Sequence, residues 1–151
     1  MKKALLPFLM TVVLTGCVTA VTMQNQTEQL TVTDPTDSYA AAVDCASRFV
    51  RPGSNGQFFT YQSDKLNKFI LTFGLDNVVS LFGKPQATVD AIMRYNTAKD
   101  GRSATLEVTD WRVCDLTYGK CGSSLPKSAA PKYEEKAGNL LKEISQCIQN
   151  H

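Results

Sequence analysis

Apolar and polar positions alternate most clearly in the middle of the chain. Ala87, Val89, Ala91, Met93 and Tyr95 alternate with mostly polar neighbours, Asp100-Gly101 supplies a turn, and Ser103 to Leu116 returns as a second strand. The return strand changes phase. Leu106 and Val108 point one way, whereas Trp111 and Val113 sit at odd positions. A bulge near Thr109-Asp110 brings all four onto one core face and turns Asp110, Arg112 and Cys114 outward. Towards the end the period lengthens. Tyr133, Ala137, Leu140, Leu141, Ile144, Cys147 and Ile148 repeat at three and four, and Pro131 suits a first turn, so a long helix is predicted there. A first helix is predicted from Asp37 or Ser38 to about Val50, with Tyr39, Ala42, Cys45, Ala46 and Phe49 on one face and Arg51-Pro52-Gly53 ending it.

The stretches between are less regular. Pro52 to Gly56 is a dense turn cluster, and Gln57 to Gln62 reads as a strand. Leu66, Phe69, Ile70 and Phe73 fit a helix template, while Phe69, Leu71 and Phe73 fit a strand. The run is short and aromatic-rich, which favours a strand over 68–74 that Gly74 breaks. Asp76 to Phe82 then reads as a short helix capped by Asp76 and ended by Gly83. Residues 18–37 are rich in Thr and Gln without a sustained apolar period. They read as a flexible tether of 5–6 Å × √n, roughly 20–30 Å of reach, with at most a short strand at Leu30–Val32. The expected fold is therefore α+β: an antiparallel sheet of about four strands flanked by N-terminal and C-terminal helices.

The first residues follow another logic. Lys2 and Lys3 precede an apolar run, Ala4 to Leu14, which is too short for the roughly 20 residues of a membrane span. Leu14-Thr15-Gly16-Cys17 follows, and it resembles the lipobox of bacterial lipoproteins. The resemblance implies removal of residues 1–16 as a signal peptide and fatty acylation of Cys17. It leaves 17–37 as lipidated N-terminus and tether, and 38–151 as a single periplasmic domain. Residue 18 is Val rather than the Asp that commonly retains such proteins in the inner membrane. For a Gram-negative source that implies anchoring in the outer membrane. The competing reading is an ordinary secretory signal cut after Val18-Thr19-Ala20.

Charge and cysteine content sharpen this picture. The chain has 16 basic and 14 acidic residues, and removal of Lys2 and Lys3 leaves 14 of each. A neutral mature chain has no basic stripe to neutralise phosphates, so a nucleic-acid partner is not expected. With Cys17 set aside, four cysteines remain. An even count in an exported chain reads as a disulfide framework, with three possible pairings. Cys114–Cys121 and Cys45–Cys147 are favoured: the first closes a short loop with Gly119 available for the turn, the second joins the two predicted helices. Four free thiols are the alternative. A zinc site is poorly served by Cys-x₆-Cys spacing and a lone histidine, His151.

Little in the chain suggests catalysis. His151 is the only histidine, which excludes Ser-His-Asp and Cys-His chemistry built on an internal base. No G-x-S-x-G, phosphate loop, H-E-x-x-H or redox C-x-x-C is present. Glu107 with Asp90 or Asp110 could pair as carboxylates, but nothing singles them out. Phe58, Phe59, Phe69 and Phe73 fit either a ligand groove or a core. Asp110, Arg112 and Asp115 gather near the bulge, and Trp111, Arg112 and Asp110 are the candidate recognition residues; a salt-bridged solvent face is the competing reading.

The segment Gly74 to Pro85 (GLDNVVSLFGKP) resembles the helix-Gly-x-Pro segment of small outer-membrane assembly lipoproteins of the SmpA/OmlA type. Its interval from the first Gly to the last Pro is about two residues shorter. Those proteins carry a two-helix, three-strand domain and support β-barrel insertion. The expected function is non-enzymatic, without metal or cofactor: a binding or assembly accessory of an envelope complex for secretion, conjugation or barrel assembly. Its expected partners are the membrane, through the lipid anchor, and an envelope protein; its oligomeric state is left open. The alternative is an inhibitor or immunity lipoprotein acting against a lysozyme-like enzyme or toxin. An envelope hydrolase is the third possibility.

Overall fold

The structure, a computed structural model, describes residues 19–50, 58–61, 67–79 and 85–151. Residues 1–16, expected to be a signal peptide, Cys17, the turn cluster at 52–56 and residues 80–84 lie outside the described residues. Elements follow in the order β1 (Ala20–Thr22), β2 (Gln26–Thr31), α1 (Pro35–Phe49), β3 (Phe58–Tyr61), β4 (Lys68–Val79), β5 (Pro85–Thr97), β6 (Ser103–Asp115), β7 (Cys121–Gly122), β8 (Ser124–Pro126) and α2 (Ala130–Gln149). The class is α+β, as the patterning predicts, but the main sheet has six strands rather than about four. Its order is β2-β6-β5-β4-β3, every pairing is antiparallel, and β7 adds to the far end of β6. β1 and β8 form a separate two-stranded ribbon.

The predicted hairpin is β5–β6, and its bulge lies where the phase change requires it. Asp90 pairs with Arg112 and Ile92 with Thr109, so two residues of β6, Asp110 and Trp111, oppose Ala91 alone. Asp110 takes the left-handed conformation of the bulge type that usually carries glycine at this position, with φ of 51°. Leu106, Val108 and Trp111 thereby face the core and Val113 packs against it, while Asp110 and Arg112 are exposed. Both helices cover this one face. α1 contributes Tyr39, Ala42, Cys45 and Ala46, and α2 contributes Tyr133, Ala137, Leu141 and Ile144. Phe69, Phe73, Met93 and Tyr95 fill the space beneath, with the rings of Phe69 and Tyr95 stacked at 5.6 Å. Phe69 and Phe73 are thus core residues, not groove lining. The side chains of Phe58 and Phe59 lie outside the described structure.

Four expectations need correction. Residues 20–22 and 26–31 of the supposed tether are strands, so the folded part starts well before residue 38. Apart from its Leu30 end, β2 escapes detection because it is an edge strand: only Leu30 is fully buried, Gln26 and Glu28 are half-buried, and Thr27, Gln29 and Thr31 are exposed. α1 starts at Pro35 rather than at residue 37 or 38. Asp34 caps it, accepting from the Thr36 and Asp37 amides at 2.8 and 3.0 Å, and Pro35 supplies the preset first-turn φ. The expected helix over Asp76–Phe82 is strand through Val79, and residues 80–82 lie outside the described residues. Gly74 does not end β4 either; the register shifts between Gly74 and Asp76 and the strand continues against β5. The local likeness to the SmpA/OmlA helix therefore has no helical counterpart over 76–79.

Both favoured disulfides are present. Cys45 of α1 joins Cys147 of α2 across a sequence separation of 102, and Cys114 of β6 joins Cys121 of β7 across 7.

Candidate functional site

Strand side chains alternate between faces, and both helices occupy one face, so the other face of the sheet carries no covering layer among the described residues. On it the pairings build transverse rows. Gly74, Asp90 and Arg112 form one row; Ile70, Arg94, Glu107 and Thr27 form another, with Thr72 and Ile92 between them. The face is amphiphilic: two isoleucines sit among threonines and two carboxylate–guanidinium couples.

The bulge organises the charges. Asp110 is swung out by its positive φ and meets Arg94, with Asp110 Oδ2 2.5 Å from Arg94 Nη2. Arg94 also donates to the Thr109 hydroxyl, which itself donates to Asp110 Oδ2 at 3.2 Å. The hydrogen bond from Arg94 is the main reason that the Asp110 carboxyl titrates below its ordinary value; the charge of Arg94 and the Thr109 hydroxyl add to it, against a smaller opposing effect of burial. Asp90 shows the opposite balance. Burial pushes its pKa up, and the Arg112 guanidinium across the strand pair only partly offsets this. The two acids are thus shifted in opposite directions.

This geometry divides the residues singled out from the sequence. Asp110 and Arg112 belong to the open face. Trp111 between them points the other way: it is buried on the helix side, and its Nε1 donates to the Gln24 carbonyl at 3.2 Å. Trp111 is therefore a structural residue that ties β6 to the β1–β2 connection. Asp115, near the strand end, uses its carboxylate to accept from the Thr117 and Tyr118 amides at 2.7 and 2.9 Å. Arg94, Asp90 and Ile92 join the face instead. Their signal was available, since each alternates with the apolar series Val89, Ala91, Met93 and Tyr95.

A second concavity, of about 360 Å³, lies between the β2 edge and α2, lined by Gln26, Glu28, Glu134, Gly138 and Lys142 among others. Glu134 there accepts from the Gln24 amide at 2.7 Å. Among the described residues no three His, Cys, Asp or Glu side chains converge as a metal site. The chemistry that both surfaces offer is recognition through paired charges, amides and a few apolar side chains.

No protein-family model matches the chain, and no curated relative matches it. Solved structures share its fold, two of them as follows. A DUF4468 family protein from Bacteroides ovatus superposes with a TM-score of 0.54 at 5% identity, over 82% of this chain and 85% of that one. A TBP-like protein from Parabacteroides distasonis gives a TM-score of 0.52 at 12% identity, over 83% and 92%. At such identities the likeness concerns the arrangement of helices and sheet, and function has to be argued from the site itself.

Proposed function

We propose that this chain is a lipoprotein, anchored in the outer membrane through acylated Cys17 and facing the periplasm, that acts as a non-enzymatic binding or assembly accessory of an envelope protein complex. The observation that carries the reading is the N-terminal series: a cationic start, an apolar run of signal-peptide length, and Leu14-Thr15-Gly16-Cys17. The two disulfides support it, because such bonds persist in oxidising compartments. The open sheet face supplies a docking surface. Ile70 and Ile92 give it apolar contact area, and the Arg94–Asp110 and Asp90–Arg112 couples can exchange partners with charges on another protein.

Photo-cross-linking in intact cells tests the reading. A cross-linking residue at Ile92, on the open face, is expected to capture one dominant envelope protein. Capture of lipid alone at that position, or of no partner while the protein is membrane-bound, would contradict it.

A further inference from the structure

The leash between lipid and domain is far shorter than the sequence suggests. β1 begins at Ala20, and the Thr19 carbonyl already accepts from the Lys127 amide at 2.9 Å. Cys17 precedes Thr19 by two residues, which span at most about 7 Å at 3.3–3.6 Å each. Acyl chains on Cys17 would thus hold the Thr19 end of the domain against the bilayer surface.

The ribbon that starts there adjoins the β6–β7 hairpin. β8, which follows β7 directly, pairs with β1, and Trp111 near the end of β6 holds the β1–β2 connection. Beyond Asp115, Leu116 and Tyr118 are 53% and 77% exposed; Phe49 is the only other large hydrophobic so exposed among the described residues. The tip is well braced. Asp115 holds the Thr117 and Tyr118 amides, the Gly119 amide donates to the Asp115 carbonyl at 3.0 Å, and Cys114–Cys121 closes the loop. Gly119 provides the positive φ, 63°, that closes the turn. An apolar pair presented on so constrained a turn loses little freedom on contact. Lys120 beside the tip and Lys127 beside Thr19 are both exposed.

We infer that the β6–β7 tip is a membrane-surface contact: Leu116 and Tyr118 enter the headgroup–acyl boundary of the bilayer that carries the Cys17 chains, and Lys120 and Lys127 lie against the phosphates of anionic phospholipids. Leucine and an aromatic ring with a polar end suit that boundary, and nearby lysines favour an anionic surface. The inference rests on the acylation proposed above. The leash makes the contact intramolecular once the anchor is inserted, so a small patch suffices.

The test uses the full acylated protein in vesicles of phosphatidylethanolamine and phosphatidylglycerol, with or without bromine on the acyl chains. Tyr118→Trp places a reporter on the tip, while the native Trp111 is buried and serves as the reference. Brominated lipid is expected to remove most of the fluorescence that Tyr118→Trp adds and to leave the wild-type signal nearly unchanged. If the variant floats with the vesicles, carries its acyl chains and emits equally in both lipids, the tip contact is wrong and the anchor stands. If the purified chain carries no acyl group and stays out of the vesicle fraction, both readings fall.

Discussion

Asp110 concentrates the local physics of the molecule. It is the only described non-glycine residue with positive φ, at 51°, and its carboxylate is held by Arg94. A side chain other than glycine costs about 1 kcal/mol or more in that conformation. Asp110→Ala loses the Arg94 contact and keeps the backbone cost, whereas Asp110→Gly loses the same contact and relieves it. Asp110→Gly is therefore expected to be more stable than Asp110→Ala by about 1 kcal/mol in urea denaturation; equal stabilities would show that the bulge does not constrain φ. Asp90 gives a prediction of opposite electrostatic sign. Burial raises its pKa in the fold above the ordinary 3.8, with Arg112 opposing. The folded state then holds this proton more tightly than the unfolded chain. The group's contribution to stability is greatest in acid and falls as pH rises through the raised pKa. Asp90→Asn should raise Tm at pH 7 and leave it nearly unchanged at pH 3, where the carboxyl is protonated in both states. A lowered Tm at pH 7 would mean that the pairing with Arg112 outweighs desolvation.

The two disulfides act on very different lengths of chain. In the chain-entropy account, cross-linking a loop of about 100 residues contributes roughly 4–5 kcal/mol and a loop of about eight roughly 2–3 kcal/mol. Replacing Cys45 and Cys147 by serine should therefore cost more stability than replacing Cys114 and Cys121, as read from denaturation midpoints; the reverse order would contradict the assignment of the first bond as the main brace between helices. Both pairings could be read from the sequence because Cys45 and Cys147 fall on the apolar stripes of their helices, and Cys114 and Cys121 flank a glycine turn. The β5–β6 bulge was legible for a related reason: Trp111 and Val113 reach the core only if one residue is inserted. β2 was legible only at its Leu30 end, because an edge strand that fully buries only Leu30 carries no apolar alternation. The end of β4 misled because Asp76 before an apolar pair imitates a capped helix, while pairing with β5 decides the outcome. The candidate face was half legible. Asp110 and Arg112 followed from the bulge, but their partners follow only from cross-strand register, and Trp111 between them points to the opposite side.

At the scale of the whole molecule, the described residues form a six-stranded antiparallel sheet sealed on one face by two cross-linked helices, with no described element covering the other. The same fold occurs at 5% and 12% identity in the two Bacteroides and Parabacteroides structures, which shows how little of it depends on particular side chains. The functional proposal rests on the N-terminal series before Thr19. With Cys17 only two residues from the first hydrogen bond of the ribbon, a lipid there would bring the β1–β8 ribbon towards the bilayer. Intact mass of the protein purified from membranes under non-reducing conditions tests this account most directly. It predicts a chain that starts at Cys17, carries fatty acyl groups, and lacks the four hydrogens removed by two disulfides. A chain that starts at Met1, without acyl groups and with its thiols reduced, would contradict it.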